Sequence, residues 1–213
     1  MAKVSGLRIF LAGATGVIGV RLLPLMLAEG HVVAAMTRTP EKINGLRAAG
    51  ATPVLCDLFD QKSLTAAVKD FRPDVIVHQV TNLPDEIGKL AEFLASTDRV
   101  RSEGTRNLLA AAQAVNASGI AWDGDSILES HENSVVAAGG TILRYEHFYG
   151  PGTYYENDPP PAPRIHVDDA ARCRSSQDRV GYLLSPMTTP SHETAGMRAI
   201  MIASEALATG PKV

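Results

Sequence analysis

Three glycines at a spacing of three residues carry the clearest chemical meaning, in the run Gly13-Ala14-Thr15-Gly16-Val17-Ile18-Gly19. A pyrophosphate needs backbone N–H donors at close range. A helix N-terminus supplies them together with about half a positive charge from its dipole. Side chains would obstruct that approach. Gly13 permits the tight turn, Gly16 lets the backbone meet the phosphate, and Gly19 lets the helix pack close to the strand. Thr15, Val17 and Ile18 lie between them and join the expected contact set. About twenty positions further on, an acidic residue would accept the ribose 2′-hydroxyl of NAD, whereas an arginine would pair with the 2′-phosphate of NADP. This chain has Thr37 and Arg38 there, with Lys42 nearby and no carboxylate before Glu41. That places NADP ahead of NAD as the expected cofactor, although a cation at a strand end also serves as an ordinary solvated charge.

Such a loop works only between a strand and a helix. Leu7 to Ala12 is a short β-rich run, and Val17 to Ala28 is apolar on nearly every side, as in a helix buried between a sheet and its neighbours. Pro24 should kink that helix without ending it. Further strands are expected over His31 to Met36, Pro53 to Cys56 and Asp74 to His78, with Thr39 capping a short helix at Pro40. Asp60 or Ser63 starts a helix with Leu64, Ala67, Val68 and Phe71 on one face, and Val100, Gly104, Leu108, Ala111 and Val115 mark another. The strands do not alternate, which suits strands covered on both faces. Strand and helix in alternation predict an α/β fold with a doubly wound parallel sheet, a Rossmann fold. Beyond Asn116 the pattern loosens. Thr141 to Arg144 and Arg164 to Val167 read as strands and Asp168 as a helix cap, and weak helical signal is strongest around Ala195 to Ala208. The expected division is a nucleotide-binding core over residues 1–122 and a reduced C-terminal substrate portion over 123–213, packed as one unit.

With 213 residues, roughly 70% of the unfolded surface can be buried, enough for a cofactor cleft. Twenty Lys and Arg against 23 Asp and Glu, with no basic run, argue against nucleic acid as a partner. The apolar stretch from Ile9 to Ala28 is broken by Gly13, Gly16, Gly19, Arg21 and Pro24, so no membrane segment is expected and cytoplasm is the default. Cys56 and Cys173 read as reduced, buried thiols. The six histidines contain no i, i+4 pair, and no metal site is expected. A homodimer is the ordinary expectation for such a chain.

Several separate motifs resemble the extended and atypical short-chain dehydrogenase/reductase superfamily, which includes NAD-dependent epimerases and dehydratases. The glycine run matches its cofactor loop. Cys56-Asp57-Leu58 resembles the place where an Asp and its neighbour contact the adenine, and Val77-His78-Gln79-Val80-Thr81 resembles the strand end beneath the nicotinamide ribose. Gly104 to Ala112 resembles the family's helix across the sheet, Leu143 to Gly152 its sixth strand and following loop, and Arg164 to Ala171 a late strand-to-helix junction. The resemblance implies cofactor contacts from Asp57, Leu58, Gln79, Val80 and Thr81, and substrate contacts near Tyr145 and His147. It also implies a catalytic Tyr with a Lys four residues later, because an unperturbed phenol near about 10 is a poor base at neutral pH. No Tyr here has that Lys. Alignment puts Gly124 and Leu128 at those positions and Arg101 where the family has Asn, with Ser118 and Ser126 the nearest serines. The catalytic residues are therefore left unassigned. The chain is also short for the family, chiefly before Trp122 and between Glu156 and Arg164, so either it is naturally reduced or segments are missing from this sequence.

The resemblance implies reversible hydride transfer between a nicotinamide and a hydroxyl or carbonyl carbon of a small polar metabolite or nucleotide sugar. Two other readings stay open at this level: a non-catalytic NAD(P)-binding regulatory or interaction protein, and a reduced paralogue with a damaged substrate half.

Overall fold

A computed structural model describes residues 6–82, 87–115, 141–145, 147–160, 164–175 and 201–205. The first half follows the expected alternation: β1 (Arg8–Ala12), α1 (Gly19–Ala28), β2 (Val32–Thr37), α2 (Ile43–Ala48), β3 (Thr52–Leu55), α3 (Gln61–Phe71) and β4 (Val75–His78). A helical run follows, made of α4 (Leu90–Arg99), a wide π turn (Val100–Gly104) and α5 (Thr105–Gln113). The remaining elements are β5 (Thr141–Tyr145), β6 (His147–Tyr149), β7 (Arg164–His166), α6 (Val167–Ser175) and β8 (Met201–Glu205).

Six strands form one parallel sheet in the order β3-β2-β1-β4-β8-β5, and β6 pairs with β7 in a separate parallel ribbon. Successive side chains of a strand point to opposite faces, and both faces of β1, β2 and β4 are covered. On one, Phe10, Ala34 and Ile76 meet Leu64 and Val68 of α3 and Leu108 and Ala111 of α5. On the other, Ile9, Leu11, Val33 and Val77 meet Leu22, Leu23 and Met26 of α1 and Leu46 of α2. This is the doubly wound α/β arrangement. The unbroken apolar runs of β1, β2 and β4 follow from that two-sided burial.

Four expectations are corrected. Ala195 to Ala208 is not helical throughout, because Met201–Glu205 is a strand paired to both β4 and β5. Thr39 makes no side-chain cap for the short 3-10 turn Pro40–Lys42. Asp168 lies inside the first turn of α6 rather than capping it, and its carboxylate pairs with Arg21 instead. α1 begins at Gly19, because the glycine turn occupies the preceding positions, and it is not apolar-buried all round, since Val20 is 51% exposed. It does run through Pro24 to Ala28.

Candidate functional site

A cavity of about 860 Å³ opens at the C-terminal ends of β1, β2, β3 and β4. The glycine turn forms its floor. Gly13 has φ +86°, a conformation costly for any residue with a side chain, and a Cβ there would stand 2.6 Å from the Gln79 carbonyl. A Cβ on Gly19 would stand 2.1 Å from the Gly13 oxygen. The protein's own packing therefore demands both glycines. Gly16 differs: its N–H donates to the Gly13 carbonyl at 3.1 Å, and an added Cβ would meet only that oxygen, at an ordinary 3.5 Å. Its bare backbone serves the cavity, which a side chain there would partly fill. α1 follows, and the first N–H groups of a helix have no partner within it.

The end of β2 supplies Thr37, Arg38 and Lys42 to the wall, and Glu41 is not among the lining residues. Thr37 is buried and accepts the Thr39 N–H at 3.2 Å, and its hydroxyl lies 3.5 Å from that of Thr15. Arg38 is exposed. At the end of β3, Asp57 accepts the Phe59 N–H at 2.8 Å, which turns the chain so that Leu58 packs inward. Asn107 donates to the Leu58 carbonyl at 3.1 Å, and a Cβ on Gly104 would meet the Leu58 side chain at 2.4 Å, so α5 and the π turn hold this corner. Burial, reinforced by Asp60 and Asp57, pushes the Cys56 thiol up to about 11, so it stays protonated. The Arg99 guanidinium lies 3.9 Å from the centre of the Phe59 ring and pairs with Glu103 at 2.7 Å.

Beyond β4, the Gln79 N–H donates to the Ala12 carbonyl at 2.7 Å and the Val80 N–H to His78 Nδ1 at 3.1 Å. His78 is fully buried, and that burial pushes it down to about 3, so the ring is neutral. Asn82 donates to the Ser96 hydroxyl at 2.7 Å and accepts from Thr97 at 3.0 Å, tying the segment after β4 to α4.

All the expected cofactor residues line the cavity except Gly19, which lies in the packing beneath it. His147 is half-buried, stacks on Tyr155 with ring centres 5.9 Å apart, and is not among the lining residues. Tyr145 ends β5, and its side chain lies outside the described residues. Ser118, Gly124, Ser126 and Leu128 also lie outside them. Sequence reasoning missed Asn82 and Ser96, which precede the helical stripe that begins at Val100, and it sets Arg99 on another face of that helix and not at the site. The loop expected up to Gly152 continues to Glu156, and Thr153, Tyr154 and Glu156, which the sequence reading does not assign to the site, line the cavity together with Gly152. The Gly150-Pro151-Gly152 turn signal was available to flag that loop. Among the described residues no group of His, Cys, Asp or Glu is placed to hold a metal ion, and no helix is long and apolar enough to cross a membrane.

This arrangement is that of a dinucleotide-binding site, and sequence comparison agrees: a family of NAD(P)H-binding domains matches residues 13–123. The chain belongs to that family. It is 33% identical over 193 residues to a 3-diazoavenalumate denitrifying reductase of a Streptomyces species, a match covering 75% of this chain. The chain spans 62% of that reductase's length. In fold it is similar to a UDP-glucose-4-epimerase of Stenotrophomonas maltophila with bound NAD, at TM-score 0.60 and 14% identity, covering 93% of this chain and 77% of the other. It is also similar to a short chain dehydrogenase of Burkholderia cenocepacia in complex with NADP, at TM-score 0.56 and 16% identity, covering 96% and 90%.

Proposed function

We propose that the chain is an NADP-preferring oxidoreductase acting at a hydroxyl or carbonyl carbon of a small polar metabolite or nucleotide sugar. The observation that carries this reading is the conjunction of an open Gly16 with Arg38 and Lys42 on the adjoining wall. When bound, NADP supplies a hydride donor or acceptor. The chain's part is to bind and orient. The glycine turn takes the pyrophosphate, while Arg38, helped by Lys42, faces the ribose 2′-phosphate as a charge-assisted donor. Asp57 and Leu58 border the adenine, and Gln79, Val80 and Thr81 border the nicotinamide ribose. Residues 1–122 thus serve as the cofactor core and residues 123–213 contribute the substrate side, with Tyr145 and His147 beside the substrate. On the loop 150–156, Tyr154 and Glu156 line the cavity beside the glycine turn. The relation to a named reductase supports turnover over a purely regulatory role.

Calorimetric titration with NADPH and then NADH tests this. The unaltered protein should bind NADPH about tenfold more tightly, equivalent to about 1.4 kcal/mol. Gly16→Asp should abolish binding of both nucleotides, and Arg38→Ala should bring NADPH down to the NADH level. Equal affinities in the unaltered protein would remove the NADP assignment, and no binding of either would remove the function.

A further inference from the structure

The loop 150–156 forms a strap along one side of the cavity, and a single guanidinium grips it. Arg21 lies on α1 just past the glycine turn. Its Nε donates to Asp168 Oδ1 at 2.9 Å, its Nη2 to the Pro151 carbonyl at 2.7 Å and its Nη1 to the Val17 carbonyl at 2.7 Å. Arginine's planar fork can serve three acceptors at once, and lysine's point charge cannot match that geometry. One side chain therefore joins the glycine turn, the first turn of α6 and the strap.

The strap is built to be held at that point. Gly150 and Gly152 take φ of +108° and +81°, the Thr153 hydroxyl donates to the Gly150 carbonyl at 2.8 Å, and the Tyr155 N–H donates to the Thr153 hydroxyl at 3.2 Å. The Gly150 N–H closes the turn on the Tyr155 carbonyl at 3.0 Å. Beneath it an apolar cluster of Ile18, Phe148, Val167 and Ala170 fixes β6 and α6 against the glycine turn without help from Arg21. Losing the guanidinium should therefore free the strap and leave the fold intact.

We propose that Arg21 is a positioning residue: it seats the strap, with Thr153 and Tyr154, beside the glycine turn and so slows departure of the bound dinucleotide. This rests on the cavity being the NADP site. Arg21→Lys keeps a cation for Asp168 but gives up the fork. Asp168→Asn neutralises the partner and leaves the Pro151 contact. Two measurements decide the matter: hydrogen exchange of the strap amides in the nucleotide-free protein, and stopped-flow NADPH fluorescence.

In Arg21→Lys the amides of Gly150, Thr153 and Tyr155 should exchange faster and NADPH should leave about tenfold faster, equivalent to about 1.4 kcal/mol. Its association rate and melting temperature should stay unchanged, and Asp168→Asn should show the smaller effect on both strap readouts. Unchanged strap exchange overturns the inference, as does a fall in melting temperature that accounts for the faster release. Failure of the unaltered protein to bind NADPH is a different result, which removes the proposed function. Failure of this inference is NADPH bound normally and released from Arg21→Lys at the unaltered rate.

Discussion

A methyl group on Gly19 would overlap the Gly13 carbonyl, while one on Gly16 would sit at ordinary contact distance, so two residues of one motif are kept for different reasons. The motif itself assigns Gly16 to the phosphate and Gly19 to helix packing; what spacing cannot give is how much room each position leaves, which depends on where Gly13 and Ala14 come to rest. His78 is a sharper case of the same limit. It reads as a strand residue near the cofactor crevice, but its complete burial follows from strands on both sides of β4 and helices over both faces. That burial has a measurable consequence. The folded ring titrates near 3 against an ordinary 6.5, so below pH 6.5 the unfolded chain binds a proton that the native protein refuses. Stability contributed by this site is intact above that pH and falls by about 1.4 kcal/mol per unit on acidification, reaching a loss of about 2 kcal/mol near pH 5. His78→Asn can still accept the Val80 N–H and does not titrate. Urea unfolding at pH 7 and pH 5 should show the unaltered protein losing about 2 kcal/mol more than the variant; equal losses would mean the ring is accessible to protons in the native state.

Elements were legible where local preference and tertiary demand agree. Asp60 caps α3 by accepting the Ser63 N–H at 3.0 Å and the Ser63 hydroxyl at 2.6 Å, which holds its carboxyl below the usual carboxylate range. Asp60→Ala should lower the melting temperature by about 2–4 °C at neutral pH, and Asp60→Asn should restore only a minor part of it, because the amide accepts the Ser63 N–H without the carboxylate's charge. The depressed carboxyl makes its contribution above its unfolded titration and loses it as pH falls through the folded one. The calorimetric gap between the unaltered protein and Asp60→Ala should therefore close in strong acid, and a gap that persists there would assign the effect to something other than the ionised cap. Elements were illegible where the two demands conflict. Met201–Glu205 lies in an Ala- and Glu-containing stretch that favours helix, but the slot between β4 and β5 offers it a ladder on each side, and pairing overrides propensity. The π turn escaped notice because Val100, Gly104 and Leu108 repeat at a spacing that an ordinary helix also satisfies. The burial of Arg101, 7% exposed beside Val100, escaped with it.

At the scale of the molecule, the strand order changes direction about β1, with β2 and β3 to one side and β4 to the other, and the cavity lies over that point. Ligand crevices form there in open parallel sheets because neighbouring connections leave to opposite faces. The cavity's walls come from β1 to β4, their following loops and the end of α4, with the strap added from the later chain. The more distant half of the sheet hangs on β8, which pairs Met201 and Ile202 with Val77 and His78 on one side and the whole of β5 on the other. A chain shortened to residues 1–200 should therefore lose β5 from the sheet while keeping the glycine turn and β1–β3 intact. With several ladder hydrogen bonds removed at about 1 kcal/mol each, its melting temperature should fall by roughly 10 °C. Hydrogen exchange should show the Thr141–Tyr145 amides unprotected and those of Arg8–Ala12 and Val32–Thr37 protected as before. Persistent protection of Thr141–Tyr145 in the shortened chain would mean that β5 pairs with β4 directly, and that β8 fills a place the sheet can close without it.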